Sequence, residues 1–157
     1  MTPSQWESWI LTHYSGIVVT DAYRERSFFY NPDGSLPKGV YFATIKESDG
    51  PRDKASRLDR EGVYRLSTGI GKKHYQTLFG PVPPRPAKGE IIGGHHDFTV
   101  LDTLTPHPIY AWIGWIAINS PDQSQEILRH WLDVAYQNAV AKFRKKTEPT
   151  RKSDVAK

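Results

Sequence analysis

The chain contains no cysteine. Disulfide staples, thiolate zinc sites and thiol nucleophiles are therefore excluded together, and a reducing compartment is the natural setting. Long apolar runs are also missing. No stretch approaches the roughly 18 apolar residues of a membrane span, and the opening MTPSQWESWI has no basic region followed by an apolar segment. The expectation is a cytoplasmic protein with no membrane partner. Familiar catalytic signatures are absent as well: no serine sits in a G-x-S-x-G elbow, there is no HExxH, and GIGKKH at 69–74 lacks the spacing of a phosphate loop. No internal repeat and no sustained heptad run occurs.

What is present suits a single globular domain. A length of 157 residues supports a real core but not two comfortable ones. Trp and Tyr together supply thirteen residues, so large amphipathic rings share the core with aliphatics. The pI near 9.3 looks like a nucleic-acid signal until the charge is divided along the chain. Seven Lys or Arg face two acids between Lys142 and Lys157, a net of +5, whereas the whole chain carries +4. The body is thus electrically balanced and the basicity sits at the end, where a solvated, fraying terminus is the simplest reading. The expected organisation is one domain over 1–146 and a basic, disordered tail over 147–157.

Local signals order the elements. Thr2-Pro3-Ser4-Gln5 combines a hydroxyl N-cap, proline at the first helical position and Gln three residues after the cap, which predicts a helix carrying Trp6, Ile10 and His13 on one face. Ile17–Thr20, Ser27–Tyr30, Val40–Ile45 and the alternating run from Val63 read as strands, with Asn31-Pro32-Asp33-Gly34 as a turn. The charged segment 46–61 is a long connection. Gly71 to Phe79 fits a short helix closed by Gly80. Residues 80–94 then hold four prolines and four glycines, a composition that supplies neither ladders nor helical turns and suits a lid or binding loop. AWIGWIAI at 111–118 is apolar on both faces and reads as a central strand, interrupted at Gly114. Ser120-Pro121-Asp122-Gln123 repeats the capping device ahead of a long helix with Leu128, Leu132, Ala135, Ala139 and Phe143 at helical spacing. The expected fold class is α+β: a mostly antiparallel sheet with an N-terminal helix, a short middle helix and a long C-terminal helix packed on it.

Several separated stretches carry a resemblance. Leu58 to Leu66 (LDREGVYRL), Leu78-Phe79-Gly80, Asp97 to Asp102 (DFTVLD), Pro106 to Tyr110 (PHPIY), Asn119-Ser120-Pro121 and Ala135-Tyr136 resemble the bacterial family called domain of unknown function 6194. The likeness spans about Pro3 to Lys146. It departs from that pattern at Glu61, where proline is usual, and at Ser67, where asparagine is usual. The Trp-rich strand followed by a long helix with Ala-Tyr and a Lys-rich finish is also similar to MmcQ/YjbR-like proteins, which implies a compact domain of the double-wing type, with relatives linked to DNA. The first family implies a fold and no activity.

Residues 93–110, GGHHDFTVLDTLTPHPIY, gather three of the six histidines and two aspartates. His95, Asp97 and His107 are chemically sufficient as ligands for a divalent metal, yet their spacing matches no metal signature, and no cofactor is predicted. Without metal, Asp97 or Asp102 could orient His107 as a general base while Tyr110 or Arg65 holds an anionic group. The plainer reading makes Asp97 and Asp102 turn caps and lets His107 and Tyr110 satisfy backbone groups before the central strand. Three functions follow. The favoured one is a binding module for a small molecule or protein, its pocket lined by Tyr110, Trp112 and Trp115, rimmed by Arg65, Asp97, Asp102 and His107, and covered by the Pro/Gly loop. The alternatives are an enzyme using the 95–107 cluster and nucleic-acid binding through the basic tail. A homodimer is compatible with the aromatic content.

Overall fold

The structure, a computed structural model, describes residues 1–148. Helix α1 (Pro3–His13) begins with the capping box expected at its start: Thr2 Oγ1 accepts from the Gln5 amide at 3.1 Å, and Gln5 Oε1 accepts from the Thr2 amide at 2.8 Å. Strands β1 (Ile17–Ala22), β2 (Glu25–Tyr30), β3 (Val40–Lys46) and β4 (Arg65–Gly69) follow, then α2 (Lys72–Phe79), β5 (Leu104–Pro106), β6 (Trp115–Asn119) and α3 (Gln125–Thr147). The six strands form one antiparallel sheet in the order β1-β2-β3-β4-β6-β5. The protein is α+β, with the three helices anticipated from the sequence.

Strand alternation sends every second residue to the helices. Phe28, Ile45, Leu66 and Ile118 meet Trp6 and Ile10 of α1 and Leu128, Leu132, Ala135 and Ala139 of α3 in the main core. Burial of each large apolar side chain there contributes roughly 1.5–3 kcal/mol. A second cluster joins Tyr75 of α2 to Ile70, Ile92, Phe98, Ala111 and Ile116, bordered by Trp131 and Val134 of α3. Between β2 and β3 the register slips at Phe28/Phe29, because β3 inserts an extra residue. Phe42 and Ala43 consequently both enter the core, and Tyr41, Thr44 and Lys46 are left on the opposite face. Thr68 Oγ1 donates to the Phe42 carbonyl at 2.7 Å and so satisfies the irregular backbone at that point.

Three expectations are corrected. AWIGWIAI is not one strand: Ala111–Ile113 is a single 3-10 turn, Gly114 takes a left-handed conformation at φ 86°, and the strand begins at Trp115. A Cβ at Gly114 would stand 2.4 Å from the Gly71 carbonyl carbon, so close passage of two backbones breaks the run. Nor does Ser120 cap the long helix. Ser120 adopts φ 44° and its hydroxyl accepts from the Tyr64 amide, while α3 starts five residues later. Finally, the basic end is not a fraying tail from Lys142 onwards: α3 continues to Thr147, with Phe143 buried in the main core and its ring 5.2 Å from that of Tyr30. The remaining basic segment, 149–157, lies outside the described residues. Among the described residues no helix is long and apolar enough to cross a membrane.

Candidate functional site

Because the helices cover one sheet face, the other is left to loops. Two connections rise over it. The charged segment between β3 and β4 brings Gly50 to Asp53, and the Pro/Gly segment after α2 brings Arg85 to Glu90; between them lies a cleft of about 1000 Å³. Residues 81–92 have no regular structure, and Ile92 anchors their far end by donating to the Pro108 carbonyl at 2.8 Å while its side chain sits in the second core. The segment read as a lid or binding loop is therefore one wall of the cleft.

The floor is a strip of rings laid across four strands. Phe29 of β2 stacks on Tyr41 of β3, with centroids 5.1 Å apart, and Tyr41 meets Trp115 of β6 at 4.8 Å. Strand β4 separates β3 from β6, so this contact needs a gap in β4. Gly69, paired with Trp115, supplies it. Loss of water around the ring pushes the Tyr41 phenol up to about 12, so its hydroxyl keeps its proton. Tyr110 and Trp112 stand at the upper wall, and the Arg85 guanidinium lies over the Trp112 ring at 4.9 Å.

The inner end is polar. Arg65 is 1% exposed, and its guanidinium grips the Asp53 carboxylate with both terminal nitrogens, Nη1 at 2.9 Å; Nη1 also donates to Ser56 Oγ at 3.0 Å. Lys46 Nζ lies 3.4 Å from Asp53 and 3.8 Å from Glu25. Burial works to raise the Asp53 carboxyl, but hydrogen bonds and charge from Arg65, with help from the Lys46 ammonium, outweigh it and hold the group well below the usual carboxylate range. Around this pair, Arg65 Nε, Ser67 Oγ and Asn119 Oδ1 are buried and have no hydrogen-bond partner among the described residues. Of the two positions that depart from the family pattern, Ser67 is thus buried at the inner end and Glu61 is exposed.

His107 closes the inner end. It is 1% exposed, and its Nδ1 accepts from the amides of Ile109 at 3.0 Å and Tyr110 at 3.1 Å. Burial, then the Arg65 and Lys46 charges, push the imidazole well below its ordinary 6.5 against an opposing pull from Asp53, so the ring is neutral. A neutral imidazole with Nδ1 acting as acceptor carries its proton on Nε2. The ring is thus a fixed donor, not a general base.

The candidates named from the sequence separate into two groups. His107, Tyr110 and Trp112 line the cleft, and Arg65 lies buried beside it, bound to Asp53 of the lining. Asp97 and Asp102 do not. Asp97 is exposed and accepts from the Thr99 amide and hydroxyl, a local turn. Asp102, at φ 54°, accepts from the amides of Asp122, Gln123 and Ser124 and holds the entry to α3. Neither orients His107, which removes the catalytic pairing considered above. His95 is exposed, and among the described residues no three His, Asp or Glu side chains gather as a metal-binding group, so His95, Asp97 and His107 do not form one. Asp53, Lys46 and Tyr41 escaped the sequence reading. The only local sign of Asp53 was the turn Gly50-Pro51-Arg52-Asp53 inside a charged connection; Tyr41 would have followed from strand alternation in β3.

These features define a class: an α+β domain with helices on one face of an antiparallel sheet and an aromatic cleft on the other. The model of a family of unknown function (DUF6194) matches residues 1–148, and the chain belongs to that family. No curated protein and no solved structure matches it.

Proposed function

We propose that the chain is a binding module for a small molecule that lies in the cleft on the helix-free face of the sheet. One observation carries the reading: the continuous strip Phe29, Tyr41 and Trp115, walled by two loops and ending at the neutral donor His107. Ligand sites characteristically combine an apolar, aromatic lining with a few fixed polar groups, and a volume near 1000 Å³ falls at the upper end of their usual range. A flat or apolar body would stack on the strip while its polar end meets the inner groups. The near-neutral body of the chain favours such a ligand over a polyanion.

Native mass spectrometry on untagged protein, followed by ligand-observed NMR with a set of small aromatic fragments, tests this. The expected result is a retained small molecule or fragment binding that disappears in Tyr41→Ala, with circular dichroism showing the variant folded. A bare mass together with no fragment sensitive to Tyr41→Ala would overturn it.

A further inference from the structure

The chemical class of the ligand follows from a count of donors and acceptors along the cleft, and rests on the binding reading above. At the inner end, the Asp53 carboxylate is already held by Arg65 and approached by Lys46, and Glu25 lies against the same ammonium. The donors there are less occupied. His107 Nε2–H makes no hydrogen bond within the described residues, because both bonds to that ring are received at Nδ1. Lys46 reaches its two carboxylates only at 3.4 and 3.8 Å, and Tyr41 keeps a hydroxyl proton. Farther out, the lining carries three cationic residues, Arg52, Arg85 and Lys88, and one carboxylate, Glu90. A cationic ligand is disfavoured for a second reason: Arg85 already occupies the face of Trp112, the kind of surface an ammonium group would seek.

We propose that the cleft takes a flat aromatic molecule bearing a carboxylate or a comparable anionic group. The ring lies over Tyr41 and Trp115, and the anion is received by the Lys46 ammonium and the His107 Nε2–H. Donors surrounding an anion in a partly dry site give strong, charge-assisted bonds without any change in the protonation of His107.

Two probes with one ring system separate charge from stacking: 2-naphthoate and 2-naphthylmethylammonium, titrated by calorimetry at neutral pH. The naphthoate is expected to bind at least about tenfold more tightly. Lys46→Met, which keeps the length of the stem and removes the charge, is expected to abolish that preference; Arg85→Ala is expected to weaken naphthoate less, and both variants are checked for fold by circular dichroism. Equal binding of the two probes, or a preference for the ammonium, overturns the anion assignment while leaving cleft binding intact. Failure of both probes to bind the folded wild-type protein at millimolar concentration overturns the binding reading along with it.

Discussion

The indole of Trp115 lies directly over Gly69: a Cβ built on that glycine would stand 2.7 Å from Nε1 and 2.8 Å from Cε2. The backbone of Gly69 needs no unusual φ, so the glycine is required by close approach alone. Gly69→Ala is expected to displace the indole from Tyr41 and to destabilise the fold by about 1–3 kcal/mol, the usual cost of overpacking. Denaturant unfolding measures the loss and near-ultraviolet circular dichroism the displacement. An unaltered aromatic spectrum would show that the strip tolerates the methyl group.

Asp53 is the counter-charge of a buried arginine. Asp53→Asn leaves the Arg65 guanidinium in place without its carboxylate, and removing one partner of such a pair costs about 3–5 kcal/mol. The pair also sets an acid limit. The folded carboxyl titrates below the unfolded one, so its stabilisation is complete above about pH 4 and is lost as pH falls towards the folded value. Urea midpoints measured down through that range should drop more steeply for wild type than for the asparagine variant.

His107 gives a second acid-side effect at higher pH. Its folded pKa lies well below 6.5, so on acidification the unfolded chain takes up the proton first. Its contribution to stability is therefore full above about pH 6.5 and declines as pH falls from there towards the folded value. His107→Asn places an amide oxygen near the position of Nδ1 and retains an acceptor for the Ile109 and Tyr110 amides, whereas His107→Phe leaves both donors unmatched. The expected order of melting temperature is wild type, then Asn, then Phe. The pH-dependent loss should be reduced in both variants; a phenylalanine variant as stable as the asparagine one would mean that the two bonds are dispensable.

Two aspartates of the same loop should behave differently. Asp102 receives three amides at the entry to α3, while Asp97, among the described residues, receives the amide and hydroxyl of Thr99 alone. Asp102→Ala is expected to lower the melting temperature clearly and Asp97→Ala hardly at all. Equal shifts in thermal unfolding would refute the assignment of Asp102 as the residue that holds that helix.

The contrast between those aspartates also shows what a sequence can reveal. The Thr2–Gln5 capping box closes within four residues, so every group it needs is visible in one short stretch. Asp102 meets its amides some twenty residues later, and the similar-looking Ser120-Pro121-Asp122-Gln123 device is displaced because Ser120 is drawn into the link to Tyr64. Alternation from Val63 puts Arg65 on a strand, opposite the face shared by Tyr64 and Leu66, but gives no sign of its partner. Asp53 looks like any acid in a charged connection until the loop folds back over β4. The break in AWIGWIAI was likewise set by Gly71, more than forty positions earlier, against which Gly114 passes. Periodicity reports which face a residue takes; it does not report what the opposite face will meet.

The inserted Phe42 lets β3 give Val40, Phe42, Ala43 and Ile45 to the core and Tyr41, Thr44 and Lys46 to the cleft, and β2 divides its residues in the same way. What the strands hold together and what they display thus reside on interleaved positions of the same segments. Replacements at Ser27, Phe29 or Tyr41 can retune the chemistry of the cleft with little disturbance to the packing beneath α1 and α3. The chemistry displayed on this face can therefore diversify while foldability stays under separate control.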